Sequence, residues 1–453
     1  MATLAALLKH RGFEVRGSDE KVYPPMSDFL AAEGIPILEG YRAEHIDDSI
    51  DLAIIGNAIS RGNAELEVVL DRKLRHASLP EALREHFLWK ARSVVVAGTH
   101  GKTTTSSLAG WLLTHGGVDP TVFIGGIARN FGDAGSSYRI GAADAPFVIE
   151  GDEYDSAYFD KTAKFLKYLP DIAVINNIEF DHADIYEDLD AVRLAFRRLV
   201  NLVPRRGITL IGADSPDAVA LMPRVVSRVK TFGTGEGADW RAADVTASGQ
   251  SMTFRLLERD ADRGAFTVPL AGLHNVRNAL AAIAVGRECG LEFDVLRAGL
   301  SSFQGVKRRL EVIGTRRDVV VFDDFAHHPT AVAETLAAVR AAQPGHRVWA
   351  VFEPRSASSC RRVFQEDFAR AFARADEVVI ASVFRSTLPP EQRLSEGQLV
   401  GDLQKVGVSA RHLPNVEAIV QAVAAEARPG DLVVIMSNGG FDGIHGKLLE
   451  ALA

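Results

Sequence analysis

The 453-residue chain has two cysteines, Cys289 and Cys360. That is too few for a disulfide framework or a four-thiolate metal site, and a reducing, cytoplasmic compartment is expected. No apolar run reaches the roughly 18 residues of a membrane span, and no signal peptide is expected. Cationic excess is also missing. Lys and Arg number 51 against 59 Asp and Glu, leaving a net charge of −8. This excludes a general nucleic-acid binder, because neutralising a phosphate backbone needs clustered positive charge. A small anionic ligand held by a few placed donors remains compatible. Short-period repeats and low-complexity tracts are absent as well.

What is present is an α/β pattern. A hydrophobic fraction of 47% is ordinary for folded protein, and the length predicts about three domains. Apolar, β-branched runs at 51–56, 93–98, 171–177, 318–324, 347–353, 377–382 and 431–437 read as buried strands. Helical patterns at 103–115, 187–203, 275–289, 330–342 and 363–374 alternate with them, which implies parallel sheets with ligand sites at the strand ends. Composition changes at 85–93 and 303–314 read as linkers, and 220–270 as a small all-β insertion. The chain opens inside a helix, followed by a strand at 13–19 that ends in Asp19. A dinucleotide-type half would place a strand and a glycine-rich turn before that helix, so either the domain opens differently or its natural start lies further upstream.

One glycine is conspicuously missing. "SVVVAGTHGKTTT" (93–105) reads as a phosphate-binding strand–loop–helix, but Val96 stands where the spacing G-x-x-x-x-G-K-[ST] has glycine. The physics does not require it. A phosphate cradle needs a sharp turn, inward backbone N–H groups, a cation and a helix N-terminus. Gly98 and Gly101 permit the turn, Lys102 supplies the cation, and Thr103 offers a hydroxyl to Mg²⁺.

"GTHGKTTT" (98–105), "EGDEYDSAYFD" (150–160), "NNIEFDHADIY" (176–186), "LHNVRNALAAIA" (273–284), "FQGVKRRLE" (303–311) and "DDFAHHPT" (323–330) occur in this order. Together they resemble the Mur ligase family, which joins amino acids or peptides to UDP-N-acetylmuramate. The resemblance covers essentially the whole chain. It implies a three-domain α/β fold: a Rossmann-like UDP-sugar domain at 1–90, a central P-loop ATPase-type domain with the β insertion at 91–304, and a Rossmann-like acceptor domain at 305–453. "VYPPMS" (22–27), "GNAISRGN" (56–63), "EGDEYDSAYFDK" (150–161) and "FEPRSASS" (352–359) resemble the branch that re-attaches the recycled tripeptide L-Ala-γ-D-Glu-meso-diaminopimelate. The alanine-adding branch typically has serine where Tyr154 sits. Three rival readings are L-alanine as acceptor, a folate polyglutamate ligase, and an ATP-binding regulatory protein without turnover.

The resemblance also assigns residues. Lys102, Glu153 and His182 would be catalytic, and Thr103, Glu153 and His182 would hold Mg²⁺. Gly98, Thr99, His100, Gly101, Lys102, Thr103 and Thr104 would cradle ATP. Asn275 and Asn278 would face its adenine, Arg309 its phosphate and Asp324 its ribose; the plainer alternatives are a helix N-cap for Asn275, a linker salt bridge for Arg309 and a strand-end cap for Asp324. Ser18, Asp19, Asn57, Ser60 and Arg61 are candidates for the UDP-sugar. His328, Arg355, Ser356, Asn438 and His445 are candidates for the acceptor peptide. Some relatives carry a carbamylated lysine in the helix after His182. Here 187–203 has no lysine; Phe196 takes that place with Arg193 nearby, and no carbamylation is expected.

Overall fold

The computed structural model describes residues 1–22, 26–384 and 387–453. Part of the "VYPPMS" stretch therefore lies outside the described residues. The largest sheet has ten strands, and the strand Ser93–Ala97 lies in its middle. Parallel neighbours flank it, Ile172–Ile175 on one side and Phe147–Gly151 on the other. All five residues of Ser93–Ala97 are buried. Val94 and Val96 pack into the core under the helices Lys102–His115 and Leu273–Glu288, while Val95 and Ala97 pack into the core on the opposite face. Burial on both faces explains why the strand is an unbroken apolar run rather than an alternating one.

The stretch read as a separate β insertion is hydrogen-bonded into this sheet. Arg228–Gly233 pairs with Trp240–Ser248, and the strands Ser251–Glu258 and Ala261–Val268 continue it as an antiparallel edge. Their alternating pattern marks them as strands, but pairing to a distant parallel core is not visible in local sequence.

A second sheet has six strands. Val319–Asp324, Leu432–Met436 and Val348–Phe352 are adjacent and parallel within it. Toward the N-terminus the strands are short. Gly17–Asp19 pairs with Ile37–Glu39, and Ala53–Ile55 with His76–Ser78, as two separate parallel pairs. The strand expected over 13–19 shrinks to three residues because Phe13, Glu14 and Arg16 lie at the surface. The helix Ala2–His10 instead docks Leu4, Leu7 and Leu8 on the second face of the ten-stranded sheet. No helix among the described residues is long and apolar enough to cross a membrane.

The helix after the His182 loop, Leu189–Val200, buries Phe196 completely, with its ring 5.2 Å from that of Phe165. Arg193 is held by Asp190 and Asp217. Position 196 thus serves packing. Phe196→Ala should cost about 3–5 kcal/mol through the cavity it leaves, seen as a clear fall in the urea midpoint of the chain's main unfolding transition. An unchanged midpoint would mean that the helix does not hold this core together.

Candidate active site

The parallel order of the ten-stranded sheet builds the site. Three neighbouring strands end at one edge, so "GTHGKT", "GDEYD" and "NNIEFDH" converge although they are far apart in sequence. The missing glycine is explained here. Val96 sits inside the strand, fully buried, and the turn begins only at Gly98. Gly98 has φ +140°, and a Cβ there would lie 2.9 Å from Asn176 Cβ. Gly101 has φ +79° and is the N-cap of Lys102–His115. The loop is locked from below: the backbone N–H of His100 donates to Asn177 Oδ1 at 2.7 Å, and Thr99 Oγ1 accepts from Glu179 N–H at 2.8 Å. The helix's free N–H groups and the absence of acid in its first turn leave an anion-attracting end.

Charge at this end is balanced by one buried carboxylate. Lys102 Nζ donates to Glu153 Oε2 at 2.7 Å and Oε1 at 3.0 Å, and His182 Nε2 lies 3.2 Å from Oε1. Glu153 is only 2% exposed. Burial works against the Lys102 ammonium, but Glu153, Asp152 and Glu150 outweigh it and hold its pKa above the ordinary lysine value. The His182 imidazole is likewise pulled down by burial but raised overall by Glu153 and Asp181. His182 has φ +52°, and the Tyr154 ring meets it edge-on at 5.2 Å. The Tyr154 hydroxyl is tied to Asp184, and the Tyr186 hydroxyl donates to the Glu153 carbonyl at 2.6 Å. Thr103 Oγ1 donates to Glu150 Oε1 at 3.0 Å. Asp152, Glu153 and His182 present ligand atoms within 4.8 Å of one another. Two carboxylates and one imidazole make this group richer in oxygen than in nitrogen.

The six-stranded sheet closes over this edge. Arg309 Nη2 reaches Thr103 Oγ1 at 3.3 Å, Ser358 Oγ donates to Asp181 Oδ1 at 2.5 Å, and Thr330 Oγ1 donates to Glu179 Oε2 at 2.6 Å. Burial pushes the Asp181 carboxyl up, yet the surrounding His182, His327 and His328 and the Ser358 hydroxyl bring it well below the usual carboxylate range.

The residues expected to face the nucleotide, Asn275, Asn278 and Asp324, are held by hydrogen bonds within the chain. The helix Leu273–Glu288 packs along Lys102–His115, which carries the two asparagines beneath the loop. Asn275 Nδ2 donates to the Ala271 carbonyl at 2.7 Å, Asn278 Nδ2 to Asn275 Oδ1 at 3.1 Å, and Asn278 Oδ1 accepts from Thr105 Oγ1 at 3.1 Å. Asp324 caps the end of its strand. Its oxygens accept from the backbone N–H of Leu310 at 2.6 Å and of Ala326 at 2.8 Å, and burial raises its pKa.

The outer candidates divide. Ser18 is bonded to Glu65, and Arg61 forms a two-pronged pair with Glu67 at 2.9 and 2.8 Å, so neither is free in this form. Asp19 and Ser60 are exposed, while Asn57 Oδ1 is buried without a partner. In the third domain Arg355, Asn438 and His445 gather at the ends of adjacent strands. The Arg355 side chain presses on Gly439, next to Asn438, whose Oδ1 is buried and unpartnered. His445 Nε2 lies 3.1 Å from Asp323 Oδ1, off the line of a hydrogen bond. Ser356 closes its own turn by bonding Ser359 at 2.9 Å. His328 lies apart from these, against His100 and Glu179.

Sequence reasoning passed over Glu150, Asn176, Glu179, Asp181 and Ser358. All five stand in motifs already singled out, and polar residues at the ends of buried strands were the available signal. Gly101→Ala should weaken ATP binding at least tenfold by calorimetry. A side chain there meets left-handed strain of ~1–2 kcal/mol, and its Cβ would lie 2.4 Å from Asn278 Oδ1. Unaltered affinity would show that the loop relaxes freely.

Comparison with known proteins agrees with this architecture. Residues 1–88 match the model "Mur ligase family, catalytic domain", 96–286 "Mur ligase middle domain" and 308–439 "Mur ligase, glutamate ligase domain". The UDP-N-acetylmuramate–L-alanyl-γ-D-glutamyl-meso-2,6-diaminoheptandioate ligase of Escherichia coli is 40% identical, over 100% of this chain and 96% of its own length. The protein of the same name from Haemophilus influenzae is 38% identical over the same shares. A solved murein peptide ligase from Psychrobacter arcticus superposes with a TM-score of 0.73 at 36% identity, covering 100% of this chain and 96% of that one. The UDP-N-acetylmuramate–alanine ligase of Thermotoga maritima shares the fold at a TM-score of 0.81 and 24% identity, over 99% and 96% of the two chains. Three domain matches, full-length relatives and a phosphate loop facing a buried Glu–His pair converge on one conclusion: this chain belongs to the Mur ligase family.

Proposed function

We propose that this chain joins L-alanyl-γ-D-glutamyl-meso-2,6-diaminoheptandioate to UDP-N-acetylmuramate, converting ATP to ADP and phosphate, in the reuse of cell-wall peptides. The observation that carries the chemistry is the Lys102–Glu153–His182 cluster, met by Arg309 from the third domain. The choice of acceptor rests on the two relatives so named, 38–40% identical along the whole chain. We divide the chain into a UDP-sugar domain at 1–90, an ATP domain at 91–304 and an acceptor domain at 305–453. Free thiols and nucleotide substrates fit the cytoplasm.

In this reading the muramoyl carboxylate attacks the γ-phosphorus of ATP and ADP leaves. The free amine of the peptide then attacks the resulting acyl phosphate, and phosphate departs as the amide forms. Two anions must meet, so cations have to be ready. Lys102 is parked on Glu153; an arriving triphosphate competes for its ammonium and draws it to the β- and γ-phosphates. Arg309 extends from the third domain toward the same loop, so closure adds a second positive charge only when the domains meet. Thr103, Glu153 and His182 would hold Mg²⁺, which supplies further charge neutralisation. Closure also keeps water from the acyl phosphate. Arg355, Asn438 and His445 would receive the carboxylates and amides of the acceptor peptide, and Asn57 and Asp19 the UDP-sugar.

The reading is tested by ADP release with UDP-N-acetylmuramate, ATP and Mg²⁺, comparing the tripeptide with L-alanine. Turnover with the tripeptide and little with alanine is expected; turnover with alanine alone would move the chain to the biosynthetic branch. Lys102→Met should lower kcat by about 10²–10³-fold, the usual cost of losing one charge-stabilising donor, and full activity in that variant would remove the loop from the mechanism.

A further inference from the structure

A second cluster lies beside the phosphate loop, separate from the Lys102–Glu153–His182 group. His100, Glu179 and His328 present ligand atoms all within 4.8 Å of one another. His100 Nε2 is 3.2 Å from Glu179 Oε2, and His328 Nδ1 is 3.7 Å from the same oxygen. The two rings are 4.7 Å apart. Ligands bound at 2.0–2.1 Å around a tetrahedral ion stand about 3.3 Å from each other, so these separations need little adjustment. The second shell is already set. His328 Nε2 lies 3.1 Å from the Phe180 carbonyl, which can only accept, so the proton sits on Nε2 and Nδ1 carries the lone pair, 3.7 Å from Glu179 Oε2. Its present partner there is the Thr330 N–H at a long 3.3 Å. Thr330 Oγ1 steadies Glu179. A cavity of about 410 Å³ opens onto Glu179, His328 and Thr330 between the two domains and offers an entry path and room for a solvent ligand.

The three residues come from three places. His100 is on the phosphate loop, Glu179 follows the strand Ile172–Ile175, and His328 caps the helix Pro329–Ala342 of the third domain. We propose that His100, Glu179 and His328 form a transition-metal site, of the Zn²⁺ type, that pins the third domain onto the phosphate loop. Two imidazoles and one carboxylate favour Zn²⁺ or Co²⁺ over Mg²⁺, which prefers an all-oxygen shell. The oxygen-rich Asp152–Glu153–His182 group has the opposite preference. A metal bridging the two domains opposes the opening that substrate entry and product release require, so the site would be inhibitory.

The test is titration of the full chain with Co²⁺ in excess Mg²⁺, watching for the visible bands of tetrahedral cobalt. The bands should appear, saturate at a single equivalent, persist in Glu153→Gln, and vanish in His328→Ala and in His100→Asn. Thermal unfolding of each variant shows whether it is folded, and two independent ligand variants guard against the loss of one. Absent bands, or bands lost in Glu153→Gln and kept in His328→Ala, would overturn the site. The pinning is read by hydrogen exchange with Zn²⁺. Amides of residues 330–333 should exchange several-fold more slowly in the natural protein and unaltered in His328→Ala. Unchanged exchange in the natural protein would overturn the lock.

Discussion

The buried carboxylate of Glu153 is the constraint around which the site is organised. It is almost wholly removed from water and takes a hydrogen-bonded ammonium from Lys102 and an imidazole from His182. A buried charge is tolerated only when paired, and removing one partner leaves the other uncompensated. The pair therefore holds the phosphate loop, the strand-end turn after Gly151 and the His182 loop in one arrangement. Tyr186, bonding the Glu153 carbonyl, and Tyr154, packed on the His182 ring, brace that arrangement from outside. The Lys102 ammonium is thus held at the loop by a carboxylate partner, in place before any ligand arrives.

Several polar contacts join the third domain to the central one beside the site. Arg309 to Thr103, Thr330 to Glu179, Ser358 to Asp181 and His328 to the Phe180 carbonyl all join the third domain to the loops at the ends of the central strands. Phe180 and Phe364 stack beside them at 5.9 Å. Individual hydrogen bonds of this kind are worth about 0.5–1.5 kcal/mol, so no single one of them fixes the third domain in place. His328 is suited to this position because burial lowers its pKa to about 4, which keeps it neutral and able to donate from Nε2 to a carbonyl at physiological pH.

The phosphate loop was legible because its physics is local. Gly98 and Gly101 at positive φ, Lys102 and a hydroxyl-rich first turn follow from residue type and spacing. The central and third-domain strands were legible for a similar reason, since burial on both faces makes each a short apolar run. The bonding of the edge strands 228–268 into the central sheet was not, because pairing partners lie outside any local window. Nor were the partners that Asn275, Asn278 and Asp324 find within the chain. Each belongs to a residue type that can recognise a nucleotide or satisfy backbone and loop groups, and the packing of Leu273–Glu288 against Lys102–His115, and of Leu310 against Asp324, supplies those partners.

By itself the amino-acid sequence determined the α/β class, the ordered series of strand-end motifs, the phosphate loop and the family. These depend on composition, periodicity and backbone preferences within a few residues. Only the tertiary structure decided which polar side chains share one carboxylate, which amides are spent holding a loop, and that His100, Glu179 and His328 from distant segments meet. Those outcomes follow from strand order and domain closure, which set distances between residues that no spacing along the chain encodes.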